Sequence, residues 1–475
     1  MQAPHEIRRN RYVRLRKVHR CTIEIFRPGR TEIKLAEEDG WIHGKHSRAD
    51  YSGSLIEVET VSLKREALKY VKNPLKIIPR LEAKITEPFN RVLALAWVRL
   101  NGVERLCAGR RIFLFGAFGG RRYGDNSVAL FEHMVEHHPE VDSYWVMRKD
   151  VYKEHLRFGR LPFPDKVVFK GSFRANILAL IAQVHVYSHG HYDVTDYSRD
   201  ILAKTCLVLL GHGVTALKKK TFKSRASDHE IAGMAATADF VIAGSEQEVR
   251  IKNEEWHIPL EKIILTGLPR QDKLLRLSRE QKSSGEGRIL YMPTWRDWNS
   301  RRLLLKGSEF FSQIRDFLVI SGLDGYLHAK GVRLDLYIHM WMREFFDDFK
   351  KEFDLQSVNL LPQIIDIQKI IVDSSLLITD YSSVCWDFLL LDKPVLFYQP
   401  DLDEYEEKRG AYIDLKKDLF GPVAYNGPAA ADLVRQFVEN RFNPEQFKDQ
   451  MECMKKWAFT YTDDRNCERV AGYLV

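Results

Sequence analysis

LLITDYSSVCWDFLLLDKPVLFY, residues 376–398, sets the fold class of this chain. A buried apolar run, Leu376 to Ile378, stops at Thr379-Asp380. Ser382 and Ser383 then open a short apolar helix, and Lys393-Pro394 break it before a second β-rich run, Val395 to Tyr398. Run length and breakers read this as strand, turn, helix, strand. A helix start carries unpaired N–H groups and the positive end of the helix dipole, and serine hydroxyls add donors. The turn therefore suits an anion such as a pyrophosphate. The same serines can also act only as a helix cap, so their companions elsewhere in the chain decide between the two.

Outward from this stretch the same grammar repeats. Ile112–Phe115, Tyr144–Met147, Val167–Phe169, Val184–Ser188, Leu207–Leu210, Phe240–Ala243 and Ile263–Thr266 read as buried strands, with helical stretches such as Val128–His138 between them. A charged Ser/Gly-rich break, REQKSSGEGR (residues 279–288), precedes a second series: Ile289–Met292, Leu334–Ile338, Leu376–Thr379 and Val395–Tyr398. Two successive series predict two doubly wound α/β domains hinged near residue 285, with ligands beyond the carboxyl ends of the strands. Ahead of them, Thr22–Phe26, Thr31–Leu35 and Ser54–Val61 predict a small β-rich appendage. Residues 63–105 read as helix interrupted at Pro74, Pro79 and Pro88, with an apolar patch at Val92–Val98. The expected division is 1–105, accessory; 106–285, first α/β domain; and 286–475, second α/β domain with a terminal helix.

Polar residues that directly follow strands are the candidates for chemistry. His212 lies between glycines in GHGVTALKKK (residues 211–220). Glycine lets the backbone approach a ligand closely, and an imidazole titrates near neutrality, as a general base requires. A histidine in such a place can instead be a satisfied interior residue, and Lys218–Lys220 a solvated helix face. Arg296 ends PTWR after the strand Ile289–Met292 and has the donor fork of a phosphate clamp. His339 follows Leu334–Ile338 as a second strand-end histidine. Asp387, four residues beyond Ser383, falls one helical turn behind the anion-facing end. It is expected to receive ligand hydroxyls or hold a cation. GLPRQDKL (residues 267–274) reads as a structural turn with Arg270 paired to Asp272. Asp401-Leu402-Asp403 is a weak metal signal, and no cluster has the spacing of a metal site.

Composition bounds the rest. The 475 residues, 45% hydrophobic and 29% charged, are those of a globular protein of about three domains. The six cysteines are scattered without CxxC spacing, which predicts a reducing compartment and no disulfide framework or zinc site. No apolar run approaches the ~20 residues that span a bilayer, and the basic start has no apolar core of a signal peptide. Residues 1–30 hold nine Lys/Arg against Glu6 and Glu24, so seven of the eight net positive charges lie there. A basic arm on a near-neutral body predicts contact with an anionic surface, for which lipid is preferred because no nucleic-acid motif accompanies it; the alternative is a merely solvated, disordered tail.

Taken in order, FGAFGGRRYGDN (115–126), HGVTALKK, GLPRQDKL, YMPTWR, His339, TDYSSVCWDF and FYQPDLDEYEEKRG resemble the CDP-glycerol glycerophosphotransferase family, which includes teichoic-acid primases and polymerases and related capsule polymerases. The resemblance runs from about Arg111 to Val423. It implies a two-domain GT-B-like fold, metal-independent transfer without a cofactor, and peripheral association with the cytoplasmic face of the bacterial membrane. Motif by motif it places the base histidine on His212 and a second active-site histidine on His339. It places donor-diphosphate contacts on Gly213, Thr215, Arg296, Ser382, Ser383 and Asp387. Where wall-teichoic members often read HGTPLK, this chain has HGVTALK, one residue longer and without the proline. The expected reaction moves a polyol phosphate from CDP-glycerol or CDP-ribitol to a hydroxyl of a lipid-linked or capsular glycan, releasing CMP. The competing readings are a glycosyltransferase on the same fold, using a nucleotide sugar, and a non-catalytic scaffold at the membrane surface.

Overall fold

The computed structural model describes residues 14–18, 21–26, 32–34, 77–219, 237–281, 287–294, 296, 309–338, 350–362 and 365–475. The chain divides into two units, Met1–Phe89 and Asn90–Val475. In the first unit β1 (Arg14–Val18), β2 (Cys21–Phe26) and β3 (Glu32–Lys34) form an antiparallel sheet. Two of the three expected strands are present. The third expected strand, Ser54–Val61, lies outside the described residues, and β1 falls in a stretch read only as basic arm. Its alternation of Arg and apolar residues is a strand signal that the charge count had masked.

The expected breaks at Pro79 and Pro88 do not occur: one helix runs Ile77–Asn101 through both. Pro79 sits in the first turn, where backbone N–H groups have no helical partner, and Pro88 removes one internal bond from a long helix. Beyond it, Ala94 and Val98, four apart on one face, are buried and outweigh that loss.

The second unit holds two parallel sheets. The first comprises β4 (Arg111–Gly116), β5 (Val141–Met147), β6 (Val167–Phe169), β7 (Val184–Tyr187), β8 (Cys206–Leu209), β9 (Phe240–Ala243) and β10 (Ile263–Leu265), in the order β10-β9-β8-β7-β4-β5-β6. The second comprises β11 (Arg288–Met292), β12 (Arg333–Leu336), β13 (Val358–Leu360), β14 (Leu376–Thr379), β15 (Val395–Tyr398) and β16 (Val423–Ala424), in the order β13-β12-β11-β14-β15-β16. All four residues of β14 and of β15 are buried, as parallel strands covered on both faces require. Every strand expected between residues 106 and 398 is present. β13 and β16 were missed because VNL and VA are too short to carry a pattern.

In each sheet the chain winds outward, returns to the first strand and continues on its other side. The reversals lie between β4 and β7 and between β11 and β14. Such switch points open a crevice at the carboxyl ends of the strands. After the second sheet the chain crosses back to the first. Helix Asn466–Leu474 receives Arg111 Nη2 on the Leu474 carbonyl at 2.7 Å, and the Thr460 N–H donates to the Gly244 carbonyl at 3.0 Å.

Candidate active site

β11 and β14 pair in register up to Met292 and Thr379, so PTWR and TDYSS emerge side by side at the second switch point. Asp380 accepts the Thr294 N–H at 2.9 and 3.0 Å and meets Arg296 Nη2 at 2.8 Å. Arg296 also donates through Nε to Asp401 Oδ2 at 2.6 Å, through Nη2 to Asp401 Oδ1 at 3.0 Å, and through Nη1 to the Thr294 carbonyl at 2.7 Å. Its plane lies over Tyr381, which stacks on Tyr405 at 3.5 Å. Burial opposes the Arg296 charge, but Asp380 and Asp401 more than offset it and hold its pKa far above the ordinary value.

Arg296 is therefore a buried strap between two carboxylates, not the open phosphate clamp that its strand-end position predicts. It holds the TDYSS turn against the loop after β15. Asp401 is taken up by Arg296 and Tyr381, and the Asp403 side chain points to solvent. Among the described residues no group of three His, Cys, Asp or Glu is placed to hold a metal ion.

The helix after Ser382-Ser383 is only six residues, Cys385–Leu390. The N–H groups of Cys385, Trp386 and Asp387 already bond to the carbonyls of Ser382, Ser383 and Val384. A long helix dipole is not what this turn offers. Its donors are the Ser382, Ser383 and Val384 N–H groups and the two hydroxyls, which have no hydrogen-bond partner among the described residues. Successive backbone N–H groups of this kind form an anion-binding concavity.

Asp387 turns the other way. It is 1% exposed and meets Arg270 Nη1, from GLPR after β10, at 2.8 Å. Burial pushes the Asp387 carboxyl up, and Arg270 offsets part of that rise. Burial opposes the Arg270 charge as well, but Asp387 and Asp125 outweigh it. The expected Arg270–Asp272 pair does not form. Asp272 instead accepts the N–H groups of Asn466 at 3.0 Å and Cys467 at 2.7 Å, capping the returning helix. Gly267, at φ 81°, lets that helix approach: a Cβ there would lie 2.0 Å from Asn466 Oδ1.

On the first sheet, Gly211-His212-Gly213 follows β8, with the His212 side exposed. Its ring stacks on His189 at 4.9 Å and 5°. His189 follows β7, at the first switch point, and packs against Phe118 of the FGAFGG loop at 4.1 Å. Buried Asp193 accepts the N–H groups of His189 at 2.9 Å and Gly119 at 2.7 Å and so ties the loops after β4 and β7 together. Burial would raise the Asp193 pKa, but these bonds and the His189 ring hold it below the ordinary value. Asn126 donates to the Gly211 carbonyl at 3.0 Å and accepts the Arg270 N–H at 3.1 Å.

The two crevices meet at Gly213. A Cβ there would lie 2.8 Å from Ser383 Oγ and 3.9 Å from Arg270 Nη2. The histidine loop of one sheet and the serine turn of the other thus share one seam, with a guanidinium beside it. Thr215 is not part of the seam. Its hydroxyl donates at 2.7 Å to Glu248, which pairs with Lys252 at 3.0 Å in the interior of the first sheet's layer. The rest of the loop is strapped by FYQPDLDEYEEKRG and the two residues after it: Tyr405 Oη donates to the Leu217 carbonyl, the Tyr412 N–H to that of Ala216, both at 2.7 Å, and the Lys219 N–H to that of Gly410 at 3.0 Å. His339 and Lys220 lie outside the described residues.

The sequence reading missed His189 and Asp193, gave Asn126 no role within FGAFGGRRYGDN and read Arg270 as structural. SHG (188–190) after β7 carries the same strand-end signal as GHG after β8, and GLPR after β10 has an arginine at a strand end. These signals were present, but only the tertiary fold shows which of them converge.

Residues 103–475 match the family described as CDP-glycerol:poly(glycerophosphate) glycerophosphotransferase. The chain is 26% identical over 411 residues to the teichoic acid poly(glycerol phosphate) polymerase of Bacillus subtilis (strain 168), covering 80% of this chain and 51% of that protein. It thus spans about half the length of that relative. It is 27% identical over 346 residues to the teichoic acid glycerol-phosphate transferase of Staphylococcus aureus (strain NCTC 8325 / PS 47), covering 70% of this chain and 85% of that one. The solved structure of the wall teichoic acid polymerase TagF superposes with a TM-score of 0.62 at 19% identity, over 87% of this chain and 97% of that one, a likeness of fold.

Proposed function

The chain belongs to the CDP-glycerol:poly(glycerophosphate) glycerophosphotransferase family, and from that membership we propose that it moves a polyol phosphate from a CDP-polyol to a hydroxyl of a teichoic or capsular glycan. The polyol is glycerol or ribitol, and CMP is released. The observation that carries this reading is the seam, where the loop bearing His212 lies against Ser383 through Gly213.

In this mechanism His212 takes the proton of the acceptor hydroxyl, whose oxygen attacks the phosphorus bearing the polyol. The bond from that phosphorus to the CMP oxygen breaks in line. The N–H groups and hydroxyls of the Ser382-Ser383 turn cradle the diphosphate, Arg270 lies beside it, and Arg296 acts indirectly by holding the turn in shape. Phosphoryl transfer of this kind is mostly positioning and electrostatics. The motif resemblance implies a second-histidine role for His339, which is kept here as part of the proposal, and Asp387 acts through Arg270. The reaction is proposed to need no metal ion.

The acceptor is proposed to be carried on a membrane-bound lipid, with the protein lying peripherally on that surface. Support comes from one face of helix Ile77–Asn101, where Val92, Leu93, Trp97 and Leu100 are exposed, and from the basic residues 1–30. No described helix is long and apolar enough to cross a membrane.

The test is to incubate the protein with CDP-glycerol or CDP-ribitol and a glycan acceptor and to assay the nucleotide released. CMP release tied to acceptor elongation is expected with one of the two donors. Release of a nucleoside diphosphate from a nucleotide sugar instead would assign the chain to sugar transfer, and no turnover with any donor would leave only the scaffold reading.

A further inference from the structure

In the first sheet the strands β8, β7, β4, β5 and β6 lie side by side in that order, neighbours about 5 Å apart. The loops at their carboxyl ends therefore form a row. His212 follows β8 and His189 follows β7. Phe118, after β4, packs on His189 at 4.1 Å, and the Arg122 guanidinium lies 5.1 Å from the centre of the Phe118 ring. From there the row is basic: Arg121 in the same loop, Arg148 after β5 and Lys170 after β6. The last two converge on Gly120, where a Cβ would lie 3.3 Å from the Arg148 nitrogen and 3.5 Å from both Arg148 Cγ and Lys170 Cδ. The Arg148 N–H donates to the Gly120 carbonyl at 2.9 Å, and Lys170 Nζ donates to the Tyr192 carbonyl.

Carboxylates do not cancel this charge. Arg121 and Arg122 are exposed and form no ion pair with any described residue. Arg148 meets Asp150 at 3.3 Å and Lys170 meets Asp196 at 3.4 Å, but those carboxylates are themselves exposed. Exposed pairs are worth little in water, so a phosphate, which guanidinium binds through a fork of donors, can displace them. Asp193 lies buried beneath the loops, with its oxygens taken by the N–H groups of Gly119 and His189. One small anion calls for donors gathered around a point. Here they are strung across three neighbouring strands, over about 10 Å, with the half-exposed ring of Tyr192 beside them. That spacing fits a chain of phosphates joined by polyols, whereas a neutral glycan would leave the cations unmatched.

We propose that the loops after β4, β5 and β6 hold the phosphodiesters of an acceptor that already carries polyol phosphate units, its terminal hydroxyl lying at His212. This rests on the polyol-phosphate transfer reading and deepens it. The family includes primases and polymerases, so membership leaves the acceptor's charge open; the basic row assigns this chain to elongation of an anionic acceptor.

The experiment is titration of the wild-type chain, of Arg121→Gln combined with Arg122→Gln, and of Arg148→Gln with a soluble glycerol phosphate oligomer, a neutral disaccharide, CDP-glycerol and phosphatidylglycerol vesicles. The arginines of the double variant are exposed, so the fold is kept, and unchanged CDP-glycerol affinity reports an intact donor site. The wild type is expected to bind the oligomer more tightly than the disaccharide, with an affinity that falls as salt rises. Each variant is expected to bind the oligomer about tenfold more weakly, as the loss of a charge-assisted hydrogen bond implies. Oligomer affinity unchanged in both variants, or a wild type that binds oligomer and disaccharide alike, would overturn the proposal. So would variants that lose vesicle binding but keep the oligomer, because the row would then face lipid. Arginine-dependent oligomer binding in a chain that releases no CMP from either CDP-polyol would support the polyanion row and overturn the transfer reading instead.

Discussion

His212 and His185 are 27 positions apart and sit on neighbouring strand systems, yet burial gives them opposite roles. His212 is exposed at a strand end, and its ring is oriented by stacking on His189, which the buried Asp193 loop holds in place. A positioned base contributes about 100-fold or more. His212→Ala is therefore expected to lower turnover by at least that factor while CDP-polyol affinity changes far less; near-normal turnover would remove it from the mechanism. His185 is fully buried inside β7, and burial pushes its pKa down to about 3. The unfolded chain takes up that proton near pH 6.5 while the folded chain stays neutral. Stability is thus fully present above pH 6.5 and falls as pH drops toward 3, with a slope of up to about 1.4 kcal/mol per pH unit. His185→Phe should flatten that decline, read as the urea midpoint at pH 7 and pH 4.5. Parallel declines in the two proteins would show that His185 is not the group responsible.

At the scale of elements, the loop after β8 and the turn after β14 depend on close approach. Gly213→Ala places a methyl group 2.8 Å from Ser383 Oγ, inside van der Waals contact. It should push the histidine loop off the serine turn and lower kcat and donor affinity together, whereas an effect on neither would mean that the seam opens during turnover. The helix Ile77–Asn101 is the other element with a testable face. Trp97, 47% exposed, and Leu100, 84% exposed, lie on its outer side. Apolar burial and basic charge add in interfacial binding. Trp97→Glu with Leu100→Glu is therefore expected to weaken co-sedimentation with anionic vesicles and leave transfer to a short soluble acceptor nearly intact. Deleting residues 1–30 is the poorer test, because β1 and β2 lie within them; neutralising Arg8, Arg9 and Arg11 separates charge from fold. Vesicle binding unchanged in both variants would place the anchor elsewhere.

At the scale of the whole molecule, charge is arranged in layers around the seam. Backbone N–H groups of residues 382–384 have no hydrogen-bond partner among the described residues. Behind them Arg296 is held by Asp380 and Asp401, and Arg270 by Asp387. In the proposed mechanism the donors of that turn, with Arg270 beside them, take up the charge of a leaving nucleotide without a cation, and Asp401 is already committed to Arg296. Full turnover in EDTA is the expected result. Activity lost in chelator and restored by magnesium would overturn the metal-independent assignment. The two sheets are also tied together away from the seam. The chain's last helix returns to the first sheet through Asp272 and Arg111, and Trp386 stacks on Trp457 at 5.8 Å.

The sequence by itself determined the α/β class, the position of every longer buried strand among the described residues and the points where chemistry could sit. Continuous apolar runs and the polar residues ending them are local signals, written in neighbouring positions. It was blind to β13 and β16, which are two or three residues long, and to β1, whose basic residues read only as an arm, and it broke a helix at Pro79 and Pro88 that packing at Ala94 and Val98 sustains. Only the tertiary structure decided partners. Arg296 looks like a free clamp until Asp380 and Asp401, 84 and 105 residues away, close on it. Thr215 looks like a ligand contact until Glu248 takes its hydroxyl, and Arg270 looks structural until the second sheet brings Asp387 to it across 117 residues. The physical reason is common to all three. A side chain's type fixes which bonds it can make, but which bond it makes depends on what the fold carries within 3 Å of it, and sequence spacing holds no record of that distance.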